Sequence, residues 1–443
     1  MNVKKSIQDI VAEERIEFID LQFVDVTGAV KSVTIPAARI QHVEGHRQWF
    51  DGSAVESFAR TSESDMYLKP DPSTFAVLPW LRNGERTARV ICDVHAPNGE
   101  PFAGDPRFIL KSVLHDAAEA GLTYEVGPEV EFFLFRTPLG ATLQTHDSAS
   151  YFDLSTDLGY QVRKEMVREL QGMNIEVETI HHEVAPGQHE IDIAHGGALV
   201  TADAVATLKW VVSEVAQRHD LHASFMPKPI FGVAGSGMHI HQSLGDENGT
   251  KNLFCDTNSQ YGLSDLARHF IAGQLAHARG MSAILAPLVN SYKRLVAGYE
   301  APVHLSWARV NHSALIRVPE TAPDTPETTR VELRMPDPSC NPYLAFAVML
   351  GAGLDGIARE LPLPEPIEES LYAFGPQRSD KFNVRLLPAN LKEALDELAK
   401  DEVICDLLGP VLLERFLEAK RMEWEDYRVQ VTPWEIERYL RTH

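Results

Sequence analysis

The sequence predicts an α+β protein in two parts: a β-rich stretch of about a hundred residues, then a longer part mixing strands with long helices. Three observations carry this. Polarity alternates on both sides of a Val26-Thr27-Gly28-Ala29 turn, the pattern of a β-hairpin. A turn-forming run, His95-Ala96-Pro97-Asn98-Gly99-Glu100-Pro101, is followed closely by a helix start at Asp105-Pro106, with Asp as N-cap and Pro at the first position. Beyond it, amphipathic helical segments are interspersed with strand-like ones.

In the first part, Ile19, Leu21 and Phe23 face one way and Asp20 and Gln22 the other, and residues 30–35 return. Phe50-Asp51-Gly52-Ser53 is an Asp-Gly turn; residues 63–70 lead toward 75–80, and 88–94 form another strand. After the boundary a helix runs to about residue 120. Residues 162–173 and 202–219 read as amphipathic helices, and 263–288 as one or two long buried ones. An Ala- and Gly-rich buried helix starts after Asn341-Pro342. The end is helical over 391–399, 403–408 and 411–429. Thr432-Pro433-Trp434-Glu435 opens a terminal helix with Thr as N-cap and Glu at the third position.

With 443 residues, 44% hydrophobic and 23% charged, the chain is a soluble globular protein with a large core. Its formal charge of −22 argues against nucleic acid or an anionic membrane as partner. Four scattered cysteines form no CxxC pair, so neither a zinc site nor a disulfide framework is expected. The charged N-terminus lacks a signal-peptide core, and the most apolar run, 343–354, is too short to span a bilayer; the expected location is the cytoplasm.

Five segments could carry chemistry. In the strand 127–135, Glu129 and Glu131 share one face while Val130, Phe132 and Leu134 fill the other. Paired carboxylates in an apolar strand need either two cationic partners or a divalent cation. The loop or hairpin 181–190 adds Glu183 and Glu190. Its three histidines invite a zinc reading, set aside because no cysteine and no HxxxH helix accompanies them. Gly235-Ser236-Gly237 leads into a strand that puts His239 and His241 on one face. Residues 290–300 set a basic cluster before Gly298 and Glu300, which suits either a surface loop or a flap over an anionic substrate. Arg330, Glu332 and Arg334 share one strand face, either as a salt-bridge ladder or as a site for a metal and an anion. Glutamates with one histidine suit Mg²⁺ or Mn²⁺, and metals with arginines are the parts for phosphoryl transfer, so the residues point to a metal-dependent ligase or kinase.

These segments, with Pro336-Asp337-Pro338 and Asn341-Pro342-Tyr343-Leu344, resemble in order and spacing the type I glutamine synthetases, in their shorter Bacillus-like form. The resemblance implies an N-terminal β-grasp domain over 1–103 and a catalytic domain over 104–443, a curved antiparallel sheet flanked by helices, with a helical clasp over 432–443. It implies a dodecamer of two hexameric rings with active sites between subunits. It implies ATP-dependent ligation of ammonium to the γ-carboxylate of glutamate, with two or more Mg²⁺ or Mn²⁺ per site. One metal would use Glu131, Glu183 and Glu190, and the other Glu129, His239 and Glu332. Arg294 and Arg334 would hold glutamate, in a substrate site that includes Glu131, Gly235 and His312. Arg317 and Arg330 would face the phosphates, with Phe225, His241 and Ser243 near the nucleotide. Glu300 would guard the intermediate; Asp51 of a neighbouring subunit, with Tyr151 and Glu183 nearby, would bind and deprotonate ammonium. Arg60 matches a regulatory position.

Four positions depart from the family pattern: Ala54 replaces Ser, Ala234 replaces Asn, Ala297 replaces Pro and His312 replaces Arg. The loop 320–329 also lacks a basic residue. Three readings follow: an ammonium-using enzyme, a γ-glutamyl ligase for a larger amine such as a polyamine or ethanolamine, and a weakly active regulatory paralogue.

Overall fold

The computed structural model describes residues 6–55, 65–81, 84–138, 143–369 and 384–442; Arg60 lies outside them. The first part comprises α1 (Ile7–Glu13), β1 (Phe18–Val24), β2 (Val30–Pro36), α2 (Ile40–His46), β3 (Gln48–Asp51), β4 (Asp65–Pro70), β5 (Ala76–Val77) and β6 (Thr87–His95). Its sheet runs β2-β1-β6-β4-β3, with β5 on β6 and a parallel β1–β6 pair at the centre, a β-grasp arrangement. The two seven-residue helices were not expected, although Ser6 and Asp9 close a capping box at α1. Asp20 and Gln22 are buried like their apolar neighbours. Asp20 accepts a hydrogen bond from Thr34 Oγ1 at 2.6 Å, which makes its burial tolerable.

The second part comprises α3 (Pro106–Glu119), β7 (Leu122–Arg136), α4 (Tyr160–Gly172), β8 (Val177–His182), β9 (Gln188–Ile193), β10 (Gly196–Gly197), α5 (Ala198–Arg218), β11 (Leu221–Ser224), β12 (Met238–Asp246), α6 (Asp265–Leu285), α7 (Ser291–Arg294), β13 (His304–Ala308), β14 (Ala314–Arg317), β15 (Val331–Leu333), α8 (Pro342–Ala358), α9 (Leu391–Leu398), α10 (Glu402–Arg428) and α11 (Pro433–Tyr439). The main sheet runs β13-β14-β15-β12-β7-β9-β8, with β10 and β11 also on β7. Its pairings are antiparallel except β13–β14, which run parallel. Residues 181–190 fold back as a hairpin. The two helices expected over 403–429 form one element, bent where Gly409 takes φ 70° before Pro410. Helices α6 and α8 pack closely through glycine: a Cβ at Gly273 would lie 2.1 Å from the Ala352 carbonyl oxygen.

Two buried charge clusters tie the elements together. Arg107, on α3, bonds Asp71 and Asp93 of the first sheet at 2.8 and 2.6 Å and Asp203 of α5 at 2.9 Å. The Tyr343 hydroxyl of α8 donates to the same Asp203 at 2.6 Å. Burial works against the Arg107 charge, but Asp203 outweighs it and holds the guanidinium firmly protonated. His277 of α6 sits between Asp401, the N-cap of α10, at 2.9 Å and Asp355 of α8 at 3.0 Å.

Burial pulls the His277 pKa down, but Asp401 and Asp355 outweigh it and leave it raised. A raised folded pKa means that the charged ring stabilises fully below its unfolded value of about 6.5 and that this is lost as pH rises through the folded value. His277→Gln is expected to cost roughly 3 kcal/mol in mildly acid solution. The gap in melting temperature from the unsubstituted protein should close as pH is raised through the folded value; a gap that ignores pH would refute a charged His277.

Candidate active site

The register of the main sheet assembles the expected residues in rows. Glu131 of β7 pairs with Glu190 of β9, and Glu190 pairs with His181 of β8. One row away, Glu129 pairs with Asp192 on one side and His239 on the other. On β12 and its neighbours, His241 pairs with Glu332, and Glu332 with Arg317. The glycine turn before β12 closes the floor: Gly237 N–H donates to Glu131 at 2.9 Å, while a Cβ there would lie 2.5 Å from the Arg294 guanidinium. At Gly235 a Cβ would lie 2.2 Å from the Pro227 carbonyl oxygen, so neither position takes a larger residue.

Two of the resulting clusters have the donor set of a metal site. In the first, His239 Nδ1 is 3.1 Å from Glu129 and 3.6 Å from Glu332. In the second, His181 Nε2 is 3.0 Å from Glu190 and its Nδ1 is 3.4 Å from Glu183. Glu131 borders the second cluster; its carboxylate accepts from Gly237 N–H and Gln188 Nε2. Behind the β8–β9 hairpin, Asp147, His182 and His189 form a buried group next to the Arg163–Asp157 ion pair.

Charge is unevenly answered across this face. Burial pushes the Glu129 carboxyl up, but hydrogen bonds from His239 and His241 overcome it and hold Glu129 well below the usual range. Burial likewise opposes the Glu332 charge, and Arg334 and the two histidines outweigh it. In the other cluster the Arg294 charge and the Gly237 N–H act on Glu131 without outweighing the opposing effects. Burial and then Glu183 push Glu131 well above the usual range; burial and then Glu131 do the same to Glu190. Burial, then Glu300 and Glu129, push Glu183 up to about 7. Crowded carboxylates raised by burial and mutual repulsion are what a divalent cation would neutralise, so the residues fit Mg²⁺ or Mn²⁺.

The arginines divide into two kinds. Arg317 bonds Glu332 at 3.1 Å, and Arg334 lies 3.7 Å from Glu332 with His312 Nδ1 3.4 Å away. The Nε atoms of Arg317 and Arg334 are buried without a hydrogen-bond partner among the described residues, an arrangement that a polar ligand would complete. Arg294 is buried and turned to the main chain instead, donating to the carbonyls of Arg334, Met335 and Pro336. Here it braces the strand end that carries Arg334, a role its sequence context did not reveal. His312 is exposed; burial of part of its ring, then Arg317 and Arg334, lowers its pKa and favours the neutral ring.

A cavity of about 470 Å³ opens beside Glu129, lined among others by Asp192, His195, His241, Ser243 and Arg330. Arg330 Nε donates to His241 Nδ1 at 3.2 Å, and His241 Nε2 lies 2.7 Å from Glu129. Phe225 is not among the lining residues. Its ring packs 5.8 Å from Phe132, which alternates away from the glutamates on β7. Glu300 is exposed with φ 58°, and its charge reaches Glu183 and His312. Next to it, Tyr299 lies under Lys228 Nζ at 3.8 Å. Tyr151 stands against His181, where Glu183 and Glu190 act on its hydroxyl. Asp51 lies on the first sheet, engaged by Ser53 N–H and Oγ, with no contact to this face among the described residues. Three further residues, Asp192, His181 and His195, stand at this face without having been expected at the site. Asp192 and His181 follow from period-two alternation around Glu190 and Glu183, once 181–190 is known to be a hairpin. His195, 3.0 Å from Ser243 Oγ, carried no comparable signal.

Two family models match the chain: "Glutamine synthetase, beta-Grasp domain" over residues 15–97 and "Glutamine synthetase, catalytic domain" over residues 103–439. A glutamine synthetase of Thermus thermophilus is 50% identical over 99% of each chain. One of Clostridium saccharobutylicum is 48% identical over 99% of this chain and 98% of its own. Among solved structures, "Apo GmaS without ligand" superposes with a TM-score of 0.88 at 33% identity, covering 97% of this chain and 98% of that one. "GmaS/ADP complex-Conformation 1" gives 0.89 at 33% identity, covering 98% and 99%. With both of its sheets matched and its length shared end to end with these relatives, the chain belongs to the glutamine synthetase family of enzymes.

Proposed function

We propose that the enzyme joins ammonium to the γ-carboxylate of L-glutamate through γ-glutamyl phosphate, consuming ATP and giving glutamine, ADP and phosphate. The observation that carries this reading is the pair of carboxylate–imidazole clusters set side by side on one sheet face, edged by arginines with unsatisfied Nε atoms. Glu129, His239 and Glu332 would hold one Mg²⁺ or Mn²⁺, and Glu131, Glu183 and Glu190 the other. The cavity beside Glu129, with His241, Ser243 and Arg330 on its wall, would take the nucleotide.

A carboxylate is a poor electrophile at neutral pH. ATP would supply the phosphoryl group that activates it, and divalent cations held by the two glutamate clusters would supply positive charge for the transfer. Arg317 and Arg330 face that charge, while Arg334 holds the glutamate. Arg294 acts through Arg334 by fixing the main chain at 334–336. Tyr151 and Glu183, with Asp51 of a neighbouring subunit, bind ammonium and take its proton. Glu300 and its segment cover the acyl phosphate and keep water away. A dodecamer fits the terminal helix, where Trp434, Ile436 and Leu440 are exposed. Among the described residues no helix is long and apolar enough to cross a membrane, which accords with a place in the cytoplasm.

A second reading, a γ-glutamyl ligase for a larger amine, draws on Ala54 and Ala234, which trim the region where the amine would sit. Phosphate release with glutamate, ATP and Mg²⁺, comparing ammonium with a panel of amines, separates the two. Ammonium is expected to be the preferred amine. Turnover with a bulky amine but little with ammonium would establish the second reading, and no turnover with any amine would favour a regulatory paralogue.

His312→Arg would restore a guanidinium beside Arg317 and Arg334. The ammonium-dependent rate is expected to rise about tenfold, the size of one charge-assisted hydrogen bond. An unchanged rate would show that position 312 does not face the phosphate.

Protons and cations compete for Glu183, raised to about 7, and for Glu190, also raised by burial and then by Glu131. Mn²⁺ affinity is therefore expected to climb between about pH 6 and about pH 8. Calorimetric titration at several pH values tests this, and a flat profile would remove these carboxylates from the metal site.

A further inference from the structure

The two clusters have the same chemistry. Glu129, His239 and Glu332 offer two carboxylates and one imidazole; Glu183, Glu190 and His181 offer the same set. In each, one ligand atom per residue lies within 4.8 Å of the others, close enough to surround one cation. His181 is in this position by register: it pairs with Glu190, which pairs with Glu131, so the three occupy one row across β8, β9 and β7. Its ring lies between two carboxylates, with Nε2 toward Glu190 and Nδ1 toward Glu183.

The orientation of the ring is held from outside. Tyr151 and Phe152 meet it edge-on, with centroids 5.4 and 5.1 Å away. Phe152 does so from a backbone φ of 58°, a left-handed conformation unfavourable for a bulky side chain. Phe152 N–H donates to the His182 carbonyl, fixing this corner to β8. Strain of this kind persists where the surroundings impose it, and here it presents an imidazole to two carboxylates.

We propose that His181 is an imidazole ligand of the cation held by Glu183 and Glu190, and that this makes the site prefer Mn²⁺ or a later first-row cation to Mg²⁺. The proposal rests on the two-cation reading above. Affinity for a nitrogen donor rises along the first row from Mn²⁺ onward, and Mg²⁺ is held almost wholly by oxygen, so exchanging an oxygen donor for imidazole shifts a site away from Mg²⁺.

Mn²⁺ binding to the full-length protein, followed by pulsed EPR for directly bound ¹⁴N, tests it. His239→Gln removes the nitrogen of the other cluster, and ¹⁴N coupling to Mn²⁺ is expected to persist. In the double variant H181Q/H239Q it should vanish. In His181→Gln alone, one Mn²⁺ site should weaken by about 10- to 100-fold while Mg²⁺ affinity changes by less than about threefold. Mn²⁺ bound to His239→Gln without ¹⁴N coupling, or Mn²⁺ and Mg²⁺ weakened in parallel by His181→Gln, would overturn the proposal and leave His181 a hydrogen-bond partner of Glu190. A wild-type protein that binds no Mn²⁺ would instead defeat the two-cation reading itself. If His181→Gln lowers the melting temperature, the coupling in His239→Gln, where His181 is native, still decides.

Discussion

Five glutamates share one sheet face, and their mutual repulsion is the constraint that the surrounding structure answers. The answer is asymmetric. Around Glu129 and Glu332 the protein supplies its own positive and donor groups: His239, His241, Arg317 and Arg334. Around Glu131, Glu183 and Glu190 it supplies mainly neutral donors, the Gly237 N–H and the Gln188 amide. One half of the face is therefore largely neutralised by the polypeptide, and the other depends on protons or cations to settle its charge. The glycine turn belongs to the same answer, because only a residue without Cβ lets the main chain reach Glu131 beside Arg294.

Much of this was legible in the sequence because strand periodicity is local. Glu129 with Glu131, His239 with His241, and Glu332 between two arginines each need only the period of two to share a face. The cross-strand partners needed more. Placing His181 beside Glu190 requires the register of the hairpin, and a stretch that reads equally as loop or hairpin carries no such information. The orientation of Arg294 toward three carbonyls depends on the path of residues 334–336, and the packing of Phe225 on Phe132 depends on how β11 joins β7. In the first part, the hairpin was readable from alternation and its turn. The burial of Asp20 and Gln22 was not, since it depends on what covers the second face of the sheet. The bend at Gly409 explains why one helical element read as two.

The charge cluster at Arg107 was beyond sequence reasoning for a related cause. Its partners lie 14, 36 and 96 residues away along the chain, and nothing local distinguishes Asp71, Asp93 or Asp203 from surface aspartates. Separating the first sheet from α3 would leave Arg107 with Asp203 alone and would strip Asp71 and Asp93 of their buried partner. The first sheet, α3 and α5 are thus tied through one buried guanidinium. For anyone building chimeras within the family, the N-terminal sheet is not an independent cassette. A graft that brings a foreign first sheet must match Asp71 and Asp93 to Arg107, or it will import a buried, half-paired guanidinium along with the new sequence.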